Sequence, residues 1–168
     1  MALLCMSSAV DARVNKYGHW GFGKPYGYRE KIIASNRWEV SGLGTQAQPG
    51  YMPALVLRRA AVLAKANGYD FFYVVGAGFS CSGSPFVSSG GATGPNVCDY
   101  VLSQSALLIA VGIPSPNVQV PCEGRVKEAC RSYAVADVIQ QTNSFFGLSD
   151  EQYRQELLDV QARKPARN

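Results

Sequence analysis

Residues 53–75 place a helix, a stop and a strand in one unbroken run, Pro53-Ala-Leu-Val-Leu-Arg-Arg-Ala-Ala-Val-Leu-Ala-Lys-Ala-Asn-Gly-Tyr-Asp-Phe-Phe-Tyr-Val-Val75. Pro53 is tolerated in a first helical turn, where its missing N–H has no intrahelical partner to lose. Alanine, leucine, arginine and lysine then fill the segment, all good helix formers. Asn67-Gly68 supplies a left-handed stop. Tyr69 to Val75 is aromatic and β-branched, which suits a pleated surface with a covered face. Leu55, Val56, Ala60, Leu63 and Ala66 form the inward stripe. Arg58 and Lys65 fall roughly opposite and Arg59 at the boundary, so Arg58-Arg59 is expected on a solvated face rather than as an anion site.

The rest of the chain has to pack on that unit. Before it, Tyr28–Ile33 and Asn36–Ser41 alternate apolar and polar residues around Ala34–Arg37, an antiparallel hairpin. Gly42–Gly50 is the loop into the helix. After it, residues 71–122 carry a single charge, Asp99, in 52 residues. Gly76–Pro95 is rich in glycine and serine and is expected to be a long loop. Tyr100–Ile113 is expected to be an apolar strand and Asn117–Val120 a short one. Arg131–Phe146 predicts a second helix with Val135, Val138 and Ile139 inward. Ser149 followed three residues on by Gln152 is a capping-box signature, so a third helix is expected over Asp150–Ala162. The predicted fold is α+β, a small mainly antiparallel sheet with two to three helices packed on one face.

Length and charge narrow the function classes. At 168 residues with 47% apolar content, one domain is expected. The net charge of +4 is spread out, with no run of five basic residues, so the footprint of a nucleic-acid binder is absent. No apolar stretch reaches the roughly 18–20 residues a membrane-spanning helix needs. The segments are a truncated export signal or lipid-anchor region over 1–12, a glycine- and aromatic-rich arm over 13–26, the domain over 27–147, and a C-terminal helix and tail over 148–168. Cys5 is the candidate for lipidation, and Ala9 and Ala12 are the alternative cleavage positions.

Little in the chain promises chemistry. His19 is the single histidine, so a triad or a histidine metal site would rest on it alone. Gly76-x-Gly78 lacks the third glycine and the following helix of a dinucleotide site. Gly78-Phe-Ser80-Cys-Ser82 lacks the second glycine of a nucleophile elbow. Cys81, Cys98, Cys122 and Cys130 contain no C-x-x-C pair and are expected as two disulfides, which implies an oxidising compartment; of the three pairings that four cysteines allow, Cys81–Cys98 would close a 76–99 loop and Cys122–Cys130 would cross the next turn. No catalytic, metal-binding or cofactor-binding residues are expected, and no cofactor. Trp20, Phe22 and Tyr26 in the arm are the candidate interaction surface.

A set of short motifs is more specific. Gly27-Tyr28-Arg29-Glu30, Asn36-Arg37-Trp38-Glu39-Val40, Leu57-Arg58-Arg59-Ala60-Ala61 and Gly68-Tyr69-Asp70-Phe71-Phe72, with Val74-Val75, resemble the motifs of a family of small proteobacterial, mainly alphaproteobacterial, envelope lipoproteins. Tyr133–Ile139 is a weaker echo of that family's C-terminal helix. The resemblance implies export, usually with a lipid anchor, and brings no catalytic residues. The chain departs from the family in its short signal, in Leu4 before Cys5, and in its long middle. The resulting expectation is a non-catalytic exported envelope protein, periplasmic or associated with the outer membrane. Its partner would be an envelope protein or a membrane-anchored assembly, with membrane contact only through a lipid anchor. The alternative is an exported enzyme or small-ligand binder using Ser80, Ser82 or Asp99 in the 76–99 loop.

Overall fold

The computed structural model describes Gly18 and residues 27–44, 50–82, 103–124 and 127–163. Its elements run β1 (Gly27–Ala34), β2 (Arg37–Gly44), α1 (Tyr51–Ala66), β3 (Phe71–Ser82), β4 (Ser103–Ile113), a 3₁₀ turn (Lys127–Ala129), β5 (Ser132–Ala134), α2 (Val135–Phe146) and α3 (Asp150–Ala162). Five strands form one sheet in the order β1-β2-β4-β3-β5, and every neighbouring pair is antiparallel. The fold is therefore α+β, with its helices on one face. Because β4 is antiparallel to both β2 and β3, those two run parallel, and α1 is the crossover of a split β-α-β unit into which β4 is later inserted.

Alternation decides which residues enter the core. On β2, Trp38 and Val40 are buried while Arg37 and Glu39 lie on the opposite, open face. On β4, Ala106, Leu108 and Ala110 point to the helix side in register with them. Met52, Leu55, Val56 and Leu63 of α1 fill that side. Each such side chain contributes about 1.5–3 kcal/mol on burial. Close packing also requires glycines here. A Cβ on Gly112 would lie 2.5 Å from the Tyr69 ring, so that ring sits directly against β4 backbone.

Several expectations need correction. Arg58 and Arg59 are wholly buried rather than solvated. The reason is tertiary: α1 packs on the sheet and is flanked by α2 and α3, so 12 of its 16 residues are buried and it has no solvent face of ordinary width. Arg58 donates to Thr142 Oγ1 (3.1 Å), Asn143 Oδ1 (2.7 Å) and Glu156 Oε1 (2.8 Å). Arg59 meets Glu30 of β1 at 2.5 Å and lies 4.6 Å from the Tyr28 ring centroid. Buried charges persist when they are paired and hydrogen-bonded, and both of these are.

The second correction concerns the middle of the chain. Gly76–Ser82, expected to open a long loop, continues β3, which runs 12 residues. Its cross-strand partners on β4 override the weak strand propensity of glycine and serine. Gly76 sits at a register shift after Val74 and packs against the backbone of Gly124. Asn117–Val120 is irregular, whereas Ser132–Ala134, expected inside a helix, is the fifth strand. The segment that follows β4 folds over the open face and holds to it in two ways. Arg37 donates to both carboxylate oxygens of Glu123, one at 2.9 Å, and Val75 O accepts the N–H groups of Glu123 (2.7 Å) and Gly124 (3.1 Å).

The α3 boundary agrees with expectation to the residue. Ser149 Oγ accepts from Gln152 N at 3.2 Å, and Gln152 Oε1 accepts from Ser149 N at 2.8 Å. No helix among the described residues is long and apolar enough to cross a membrane.

Candidate interaction site

β3 has two edges, and they are occupied differently. Its inner edge pairs with β4 along its whole length, apart from the bulge at Val75. Its outer edge pairs with β5 only over Phe71–Tyr73. One step further, Val74 N donates to Arg131 O at 2.9 Å, and Val75 O is taken by Glu123 and Gly124. The Cys122–Cys130 disulfide closes the loop that makes these contacts, and Cys130 Sγ lies 3.3 Å from Val75 O. Beyond that point, among the described residues, nothing pairs with the outer edge of Ala77–Ser82. A row of backbone donors and acceptors in an extended strand is a ready template for another strand.

An apolar groove runs beside this open edge on the helix side. It has a volume of about 280 Å³. Pro53, Val56 and Leu57 of α1 form one wall, Ala77 and Phe79 the floor, and Tyr133 closes the end next to β5. No charged residue among those described lines it. Phe79 is 48% exposed, among the most exposed large apolar side chains described. Ala77 and Phe79 stand on the helix side in register with Leu108 and Ala106; Ala77 packs against the core, whereas Phe79 stays largely exposed. Tyr133 is held in place by stacking on Phe72, with ring centroids 5.4 Å apart, and by Arg131, whose Nε donates to its hydroxyl at 2.8 Å.

A second, wider depression lies between α1, α2 and the start of α3, with a volume of about 1080 Å³. Several of its polar groups are paired with one another. Lys65 Nζ donates to Asp70 Oδ1 at 2.5 Å, Asn143 Nδ2 to Asp150 Oδ1 at 3.2 Å, and Arg154 to Glu151 at 2.8 Å. The hydrogen bond to Asp70 raises the pKa of Lys65, and burial raises that of Tyr153. Both shifts move away from neutrality, opposite to what a general base requires.

The sequence-predicted residues divide as follows. Cys122 and Cys130 are bonded, with Cα atoms 5.7 Å apart. Ser80 Oγ lies 2.6 Å from Ser105 Oγ across the β3–β4 ladder, a hydroxyl partner rather than a base. Cys81 and Ser82 lie at the end of β3, but Cys98, Asp99, Cys5, His19, Trp20, Phe22 and Tyr26 lie outside the described residues. Gly18, at the start of the aromatic arm, accepts a hydrogen bond from Tyr28 N at 3.0 Å on the outer side of β1. No group of three or more histidine, cysteine, aspartate or glutamate residues suited to a metal ion occurs among the described residues. Sequence reading missed Phe79, Pro53, Leu57 and Tyr133 as one surface. Phe79, an aromatic in a Gly/Ser run, was the available signal.

Comparison with protein-family models, curated proteins and solved structures finds no match.

Proposed function

We propose that this chain is a non-catalytic, exported protein of the cell envelope that takes an extended segment of a partner protein onto the outer edge of β3. The observation that carries this reading is the outer edge of Ala77–Ser82, with which no described residue pairs, beside a groove lined by no described charged residue. Main-chain hydrogen bonds to the edge supply affinity, and every second side chain of the incoming strand enters the groove, which supplies selection for apolar residues. The Cys122–Cys130 disulfide supports the extracytoplasmic setting, since structural disulfides persist in oxidising compartments. The resemblance of the short motifs to those of envelope lipoproteins points the same way, with Cys5 lipidation or cleavage after Ala9 or Ala12 as the two routes of maturation. The enzyme alternative draws no support from Ser80, whose hydroxyl neighbour is Ser105.

A photo-crosslinking residue in place of Phe79, introduced in cells, tests the reading. Discrete adducts at position 79 that disappear with Gly78→Lys are expected, with none from the same residue at Leu158, which is 58% exposed on α3. Equal labelling from both positions contradicts it. Thiol counting on the natively exported protein tests the compartment: reactive thiols at Cys122 and Cys130 would remove its support.

A further inference from the structure

We propose that the occupant of the β3 edge is the same edge of a second copy of this chain, paired antiparallel about a two-fold axis. The proposal rests on β3 being a docking edge and names what docks there.

Among the described residues the sheet has two open stretches of edge, β1 and the far half of β3, and the sequence treats them differently. On β1, Arg29, Glu30 and Lys31 place three consecutive charges ahead of the exposed Ile32 and Ile33, and Gly18 O occupies the N–H of Tyr28. Charge and capping are how edge strands are kept from pairing. On β3, Ala77-Gly-Phe-Ser-Cys-Ser82 carries neither a charge nor a proline. An edge left unguarded in a sheet whose other edge is guarded is an edge meant to pair.

Self-pairing is also geometrically consistent. A two-fold axis perpendicular to the sheet keeps helix side on helix side, so only residues of like facing can stand opposite one another. Centring the axis on Phe79 sets Phe79 against Phe79 of the second copy on the helix side, and Gly78 against Ser80 on the open side. The first is an aromatic cross-strand pair and the second a small-residue pair. The two grooves then meet along the seam, and the exposed Phe79 rings are covered by the Pro53 and Leu57 walls of the copies. With no charged residue in either groove lining or in Ala77–Ser82, the copies meet without like-charge repulsion at the seam. The product is one continuous ten-stranded sheet, twice the five strands of one copy.

Sedimentation velocity of the full chain over a concentration series, wild type against Gly78→Lys, decides the matter. Gly78 is the safe position for the substitution, since an added Cβ there meets nothing within 4 Å. A concentration-dependent dimer in the micromolar range is expected for the wild type, with association at least about tenfold weaker in Gly78→Lys. Circular dichroism and Tm of the variant monomer should match the wild type. A wild type that stays monomeric throughout overturns the proposal, as does a Gly78→Lys variant that dimerises equally well. A monomer that nonetheless yields Phe79 adducts with a different protein overturns the second copy as occupant and leaves the docking edge standing.

Discussion

Arg58 Nη2 and Glu156 Oε1 form an ion pair 2.8 Å apart with the arginine side chain fully buried, and this pair ties α3 to α1. α3 needs such a tie, because Val160 is its single buried residue. Removing one partner of a buried pair leaves the other charged and desolvated, which costs about 3–5 kcal/mol. Glu156 keeps 15% exposure, so the lower end applies to Glu156→Ala. The double replacement Arg58→Met with Glu156→Leu should recover most of the loss, because it removes the charge along with its partner. Urea unfolding of the single and double variants measures both. A Glu156→Ala cost below about 1 kcal/mol would mean that the pair is solvated.

Gly112 and Tyr69 give a second prediction. The Tyr69 ring occupies the space a Cβ on Gly112 would need, and its edge meets Trp38 with centroids 6.2 Å apart. Gly112→Ala should therefore destabilise by about 1–3 kcal/mol through overpacking. The same substitution in a Tyr69→Ala background should cost markedly less. Equal costs in the two backgrounds, read from thermal unfolding, would place the strain elsewhere.

On the acid side, the hydrogen bonds from Arg37 hold the Glu123 carboxyl below the usual glutamate range. A depressed folded-state pKa means stability that is present above the unfolded value, about 4.3, and lost as pH falls through the folded value. The part of the segment's hold on the open face that comes from this pair should thus fade as pH falls below the ordinary glutamate value, while the bonds to Val75 O remain. Carbon-13 NMR should find the Glu123 midpoint below that of an ordinary glutamate, and Arg37→Gln should return it. A midpoint indifferent to Arg37→Gln would sever the link.

At the alkaline end, burial pushes the Tyr51 phenol up to about 12. Its ring packs edge-on against Phe146, with centroids 5.1 Å apart, at the junction of α1 and α2. The neutral phenol is favoured in the fold, so this stability is full below the ordinary tyrosine value near about 10 and is lost as pH rises through about 12. Ultraviolet titration should show a late-ionising tyrosine that Tyr51→Phe removes. Complete tyrosine ionisation near pH 10 would contradict the burial of this ring.

The sequence made local features legible and tertiary ones opaque. The α3 cap was readable because Ser149 and Gln152 bond to each other's backbone and need nothing from elsewhere. The β1–β2 hairpin was readable from alternation, which the pleat enforces. The burial of Arg58 and Arg59 was not, because their partners Glu156 and Glu30 stand far away in sequence and on different elements. β3 was cut short for a related reason: Gly76–Ser82 has loop-like composition, and only its pairing with Ser103–Ile109 makes it a strand. The candidate site combines both difficulties. Phe79 stood out as an aromatic in a Gly/Ser run, but an unpaired edge is a property of the sheet order, in which β5 stops after three residues.

The open edge of β3 is best tested by amide exchange. Nitrogen-15-labelled protein, alone and in unlabelled envelope extract, reports on its own amides only. The amides between Ala77 and Ser82 that β4 does not engage should exchange fast in protein diluted below its association range, slow as its own concentration rises or when a partner in the extract is met, and stay fast in Gly78→Lys under every condition. Exchange at those amides that stays fast at every protein concentration and in the extract, or slowing confined to Gln140, Asn143 and Ser144 in the α2–α3 cleft, would contradict strand addition at β3.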